Sequence, residues 1–316
     1  MILTPDAFDH SLPDAASGGR LMRLLPPAAL PFAQLARLDR PIGWQLLLLP
    51  CWQSSALAAA ALQGAPDFEQ LALFLLGAVS MRGAGSTFND YVDREIDAKV
   101  ERTRGRPLPS GRVSPAAALA FFVAQSLIGL CVLLSFNPLT IGVALISPAI
   151  YLAYPFAKRF TSWPQAVLGL AFGYGGLVGW TARADGLAPP AFLLYAGAIF
   201  WTIGYDTIYA LQDLRDDERA GVRSTARLFG AQVKAAVGAL YAASVLCAAL
   251  AVWSAGLGLY AYAGVLAFAA HLAWQTFQVS KDSSPAQALV LFRANRDAGL
   301  LLFLGFLAQS LAGYHS

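Results

Sequence analysis

Asp90, Asp93 and Asp97 stand at i, i+3 and i+7 in the run Asn89-Asp90-Tyr91-Val92-Asp93-Arg94-Glu95-Ile96-Asp97. On a helix, all three carboxylates leave one face over two turns. The run closes an apolar segment, and a second acidic run, Asp206 to Asp217, closes another. There Asp206, Asp213 and Asp217 lie at i, i+7 and i+11, with Asp216 beside the last. Carboxylates gathered in this way repel, so each face loses stability unless a cation sits among them. Mg²⁺ is usually held by one or two carboxylates together with substrate phosphates, and the pattern predicts Mg²⁺ and a diphosphate as the ligands.

Cations that would complete such a site follow at once. Arg102, Arg104 and Arg106 crowd a loop that Pro107, Pro109 and Gly111 keep non-helical. They either cradle phosphate or only fix topology, as basic loops do; Gly105-Arg106-Pro107 beside the acidic face favours the cradle. Lys158 and Arg159, and then Arg215, Arg219 and Arg223, approach the same membrane side from other segments. For Lys158 and Arg159 the competing expectation is a pair of snorkelling anchors. Arg82 lies two turns inside its apolar span, on the face of Asn89. A charge at that depth needs a partner, either a carboxylate of the opposite cluster or an anionic substrate group, and the substrate group is the expectation.

These groups suit one kind of reaction. With phosphate oxygens neutralised by Mg²⁺ and charge on the departing oxygen met by Arg and Lys, a diphosphate becomes a leaving group. An allylic lipid tail would leave as a delocalised carbocation that a helical bundle shields from water. A phenol can attack it ortho to its hydroxyl, and Asp213 or Asp206 is positioned by type to accept the ring proton.

The elements that must carry this chemistry are membrane helices. The 316 residues are 57% hydrophobic and 13% charged, with mean hydropathy +0.54, too apolar for a soluble domain. Apolar stretches of spanning length fall near 41–62, 69–89, 116–135, 138–157, 164–182, 189–212, 231–253, 256–279 and 298–314, about nine helices. With a cytoplasmic N-terminus, all of the 22 Lys and Arg except Arg82 and Arg183 fall in inside segments, and both acidic clusters face the cytoplasm. The net charge of +3 is thereby explained by topology and gives no reason to expect nucleic acid. Residues 1–35 read as a flexible cytoplasmic tail without the h-region of a signal peptide or the composition of a transit peptide, followed by one membrane domain over 36–316. That reading places the chain in a bacterial inner membrane, with the mitochondrial inner membrane as the alternative. Cys51, Cys131 and Cys247 lie singly in apolar spans and are expected to be small core residues. His10, His271 and His315 are scattered and form neither a metal set nor a triad.

Taken together, the residues resemble the UbiA superfamily of intramembrane aromatic prenyltransferases. NDYVDREID matches the first Asp-rich motif of that family in full, and ALQDLRDD supplies the second as Asp213, Asp216 and Asp217. Within the superfamily, RTRGRPLPSG, YPFAKRFT and YDTIYALQDLRDDERAGVRSTARLFG look most like the 4-hydroxybenzoate polyprenyltransferase branch, which works in ubiquinone biosynthesis. The resemblance implies an all-α polytopic fold of nine helices around a central cavity under a cytoplasmic cap, open laterally for the prenyl chain. It implies a Mg²⁺-dependent transfer from polyprenyl diphosphate to 4-hydroxybenzoate. By position it gives Asn89, Asp90, Asp93, Asp97, Asp213, Asp216 and Asp217 to Mg²⁺ and diphosphate. Arg37, Arg82, Arg102, Arg104, Arg106, Lys158 and Arg159 become candidates for substrate contact, and Asp206 stays with the second motif.

Other acceptors, such as homogentisate, a naphthoate or a porphyrin side chain, are compatible with the same machinery. A different class, an anionic-lipid transporter, would also place related acidic clusters in two halves. Its site, however, belongs near the midplane rather than at cytoplasmic helix ends.

Overall fold

The computed structural model describes residues 20–99, 103–151, 157, 161–214 and 223–314. Among these the only regular structure is helical. Five helices are long and apolar enough to cross a membrane: Phe68–Asp97, Pro115–Leu134, Pro189–Ala210, Thr225–Ser254 and Pro285–Tyr314. Ile42–Ala61 and Leu259–Gln278 are each 20 residues long, but Gln45, Gln53, Ser54, Ser55, His271 and Gln275 dilute their apolarity. The chain is a multi-pass membrane protein, and its surface shows it. The Pro115–Leu134 helix exposes Leu119, Val123, Leu127, Ile128 and Leu130 while burying Gln125. In water such a face would forfeit the stabilisation that burial of each large apolar side chain brings, whereas lipid tails receive it.

Three expected spans differ in detail. The 138–157 stretch is helical over Pro138–Ala144, turns at 145–146, and resumes to residue 151. The 164–182 stretch is two helices, Pro164–Gly173 and Gly175–Thr181, parted at Tyr174. The last helix begins at Pro285, so Arg293 and Arg296, expected in a loop, are helical. Apolar windows stop at the first charge, but a helix continues into the headgroup region, where such side chains meet water. Cys131, expected in the core, is exposed, because its helix turns that face outward.

Two compact units divide the chain: Met1–Gln45 with Leu75–Leu133, and Leu46–Phe74 with Leu134–Ser316. In the first, Leu30–Leu35 forms a short helix whose Leu35 is fully buried against Leu108, Val113 and Ala118, with Phe32, Tyr91 and Phe121 around them. In the second, Pro189–Ala210 packs against Pro164–Gly173, Val233–Ser254 and Pro285–Tyr314. Gly264 and Gly305 face each other between the last two helices. A Cβ on Gly264 would stand 2.7 Å from the Gly305 Cα, so only glycine allows the backbones to come this close.

Candidate active site

Phe68–Asp97 runs as one 30-residue helix through the whole of the first acidic motif, so the spacing read from the sequence is realised. At about 100° per residue, Arg82, Ser86, Asn89 and Asp93 share a sector of about 60°, with Asp97 and Asp90 at its margin. The carboxylates consequently have different surroundings. Asp90 is fully buried, and Asp97 nearly so; Asn89 and Asp93 are half-buried, with Asn89 Nδ2 donating to Asp93 Oδ2 at 3.2 Å.

The loop after the motif is fixed by its own apolar pegs. Leu108 and Val113 sink into the cluster around Leu35, Gly111 takes the left-handed backbone (φ +72°), and Ser110 Oγ donates to the Arg106 carbonyl at 2.6 Å. So anchored, the loop turns Arg106 back on the helix. Arg106 Nη1 donates to Asp97 Oδ2 at 2.8 Å and to Asp90 Oδ1 at 3.2 Å. Thr103 Oγ1 donates to the Asp97 carbonyl at 2.9 Å. From the other side Arg37 Nη2 donates to Asp90 Oδ1 at 2.6 Å while Arg37 Nη1 donates to the Gln34 carbonyl. Burial works against the charge of Arg37, but the adjacent Asp90 carboxylate outweighs it and holds the guanidinium pKa above its usual value. Next to it, burial pushes the Asp39 carboxyl up, against the opposing pull of Arg40 and Arg37.

Arg82 donates through Nη1 to Ser86 Oγ at 2.7 Å, lies against Gly43, and keeps a buried Nε without a partner. Among the described residues it forms no ion pair. Arg104 is exposed. Arg102, Lys158, Arg159, Asp216 and Asp217 lie outside the described residues.

The second motif begins on the helix Pro189–Ala210, which carries Asp206, half-buried. The chain then tightens into a 3-10 turn over Leu211–Asp213, so the continuous α-helical face expected to join Asp206 to Asp213 ends at Ala210. Beside Asp206, Thr207 Oγ1 meets Thr225 Oγ1 at 2.6 Å, Thr225 N donates to Gln165 Oε1, and Ser224 caps the helix Thr225–Phe229. Ser224 and Thr225 therefore pin the segment after the motif to the helix before it.

A set of residues that pattern reading passed over supports the same helix. Trp201 Nε1 donates to Asn295 Oδ1 at 2.8 Å, Asn295 Nδ2 donates to Gln275 Oε1 at 2.8 Å, and Tyr241 OH lies 3.1 Å from both oxygens. Gln275 Nε2 completes the chain by lying 3.1 Å from His271 Nδ1. The available signal was weak: Gln275 and Asn295 are each one of several polar residues in their helices.

The donors at the first helix end are amide and carboxylate oxygens, the hard ligands that Mg²⁺ takes. Among the described residues no three carboxylate, imidazole or thiolate groups gather closely enough to hold a metal alone.

The UbiA prenyltransferase family model matches residues 47–296, and the chain belongs to that family. It is 45% identical over 303 residues to a mitochondrial 4-hydroxybenzoate polyprenyltransferase of Drosophila pseudoobscura pseudoobscura, covering 95% of this chain and 76% of the relative. It is 40% identical to a 4-hydroxybenzoate octaprenyltransferase of Ectopseudomonas mendocina (strain ymp), covering 89% and 94%. Among solved structures, a UbiA homologue from Aeropyrum pernix K1 superposes with TM-score 0.68 at 25% identity, covering 84% of this chain and 97% of that one. Another, from Archaeoglobus fulgidus bound to GPP and Mg²⁺, superposes with TM-score 0.62 at 19% identity, covering 90% and 100%. The expectation of an intramembrane prenyltransferase fold is met.

Proposed function

We propose that this chain transfers a polyprenyl group from polyprenyl diphosphate to the ring carbon ortho to the hydroxyl of 4-hydroxybenzoate, releasing diphosphate, in ubiquinone biosynthesis. The observation that carries the reading is the 45% identity over nearly the whole chain to a protein of that name, with the first Asp motif intact on one helix. Residues 36–316 act in it as a single catalytic domain; of the segment expected to be a flexible tail, Leu30–Leu35 is instead a short helix packed against that domain through Leu35.

Asn89, Asp93 and Asp97 of the first motif, and Asp213, Asp216 and Asp217 of the second, are assigned to Mg²⁺ and diphosphate. When bound, Mg²⁺ neutralises phosphate oxygens and makes diphosphate a better leaving group; the Archaeoglobus fulgidus homologue, solved with GPP and Mg²⁺, supports its use. Arg37 and Arg106 hold the diphosphate in place, together with Arg102, Arg104, Lys158 and Arg159. As the allylic C–O bond breaks, its electron pair leaves with the diphosphate, and these cations meet the growing charge. The ring carbon of the phenol forms the new C–C bond, and the proton it loses passes to Asp206 or Asp213. Arg82, which forms no ion pair among the described residues and keeps a buried Nε without a partner, faces an anionic group of a substrate.

The membrane is proposed to be a bacterial inner membrane with the N-terminus cytoplasmic. The mitochondrial relative at 45% identity favours the mitochondrial inner membrane as the second reading. Purified protein given polyprenyl diphosphate and equal amounts of 4-hydroxybenzoate, homogentisate and a hydroxynaphthoate tests the acceptor. Prenylated 4-hydroxybenzoate as the main product supports the assignment, and preference for either competitor overturns it.

A further inference from the structure

Asp90 and Asp93 belong to one acidic run, yet they sit in surroundings of different kinds. Asp90 has no exposed surface; its Oδ1 accepts from both Arg37 and Arg106, and its Oδ2 is buried without a partner. Asp93 is half-buried and touches Asn89. Building on the prenyltransferase reading, we infer that Asp90 is a positioning residue rather than a metal ligand: it holds the guanidinium groups of Arg37 and Arg106 in place for diphosphate.

Three observations carry this. First, Mg²⁺ demands near-octahedral geometry and keeps several waters. A carboxylate with no accessible surface, already accepting two charge-assisted bonds at 2.6 and 3.2 Å, offers no hydrated approach. Second, each arginine is fixed again at a second point. Arg37 adopts φ +56° and caps the Gln34 carbonyl at 2.9 Å, and Arg106 stands on a loop pegged by Leu108 and Val113 and also bonds Asp97 at 2.8 Å. Long cationic side chains lose considerable rotamer entropy when ordered, and fixing them before the ligand arrives removes that cost from binding. Third, both arginine side chains stay partly exposed, 14% and 19%, where Asp90 is 0%. The cations reach a ligand and the acid does not.

The test uses the full-length protein purified in detergent. Binding of inorganic diphosphate at saturating Mg²⁺, and binding of Mn²⁺ at inorganic diphosphate concentrations that saturate each variant, are measured for wild type, Asp90→Asn and Asp93→Asn. Asp90→Asn is expected to weaken diphosphate about tenfold and leave Mn²⁺ affinity unchanged, while Asp93→Asn weakens Mn²⁺. Combining Asp90→Asn with Arg106→Lys should weaken diphosphate by less than the product of the two single effects, as for residues acting as one unit. Loss of Mn²⁺ affinity in Asp90→Asn matching that in Asp93→Asn overturns the inference. If Asp90→Asn does not fold, Arg37→Lys and Arg106→Lys probe the same contacts from the other side. Weakened diphosphate with unchanged Mn²⁺ supports the inference, and unchanged diphosphate in both overturns it. A wild-type protein that binds both ligands but forms no prenylated product contradicts the reaction proposed above, and the binding data still decide the role of Asp90.

Discussion

Arg106 donates to Asp97 across 2.8 Å, so a loop residue closes back on the helix end nine positions before it. The contact ties the Gly-Arg-Pro loop to the last carboxylate of the motif and leaves that guanidinium only partly exposed, between Asp97 and Asp90. Acid and base of one short segment thus form a preorganised unit rather than two independent patches.

Replacing Arg106 by Ala is expected to raise KM for polyprenyl diphosphate about tenfold and KM for 4-hydroxybenzoate much less. Steady-state kinetics with each substrate varied in turn reads the difference. An equal rise in both would mean that the loop as a whole has been disturbed.

Asp93→Ala should lower turnover by about a hundredfold or more. Because Asp93 is half-buried and no apolar packing is lost, the thermal unfolding midpoint should stay near that of the parent. Near-normal turnover would remove Asp93 from the metal site.

The acidic helix end was legible because a spacing of i, i+3 and i+7 has one geometric meaning on a helix. Which of its carboxylates is buried was not legible. Asp90 and Asp93 differ by about 60° around the axis, and only the long-range arrival of Arg37 and of the Leu108 loop decides which one is enclosed. The break at Tyr174 was hidden for a related reason. Residues 164–182 are evenly apolar, whereas the division follows from packing against Cys51 and Tyr195 at Gly175, Gly176 and Gly179. The tightening at Leu211–Asp213 was likewise absent from any pattern of side chains, since hydrophobic periodicity reports faces and not the pitch of a single turn.

The amide network makes a prediction about stability. Asn295→Leu leaves Trp201 Nε1, Tyr241 OH and Gln275 without their shared partner and should cost about 1–2 kcal/mol. Unfolding in mixed detergent with graded SDS measures it. An unchanged midpoint would show that the network contributes nothing net.

Asp39 gives a pH dependence. Its folded pKa is raised by burial, so its contribution favours the folded state below the ordinary carboxylate range and is lost as pH rises through the folded value. Asp39→Asn should therefore raise the unfolding midpoint relative to the parent at neutral pH, and the gain should vanish in acid below that range. A gain that is the same at both pH values would contradict the assignment to Asp39.

The central claim is a Mg²⁺-dependent transfer of a prenyl group to an aromatic carbon. Detergent-purified protein, polyprenyl diphosphate and 4-hydroxybenzoate, with Mg²⁺ present and then chelated, test it by mass analysis of the product. 3-Polyprenyl-4-hydroxybenzoate is expected with Mg²⁺ and none after chelation; equal product in both, or none in either, would rule out Mg²⁺-dependent prenyl transfer.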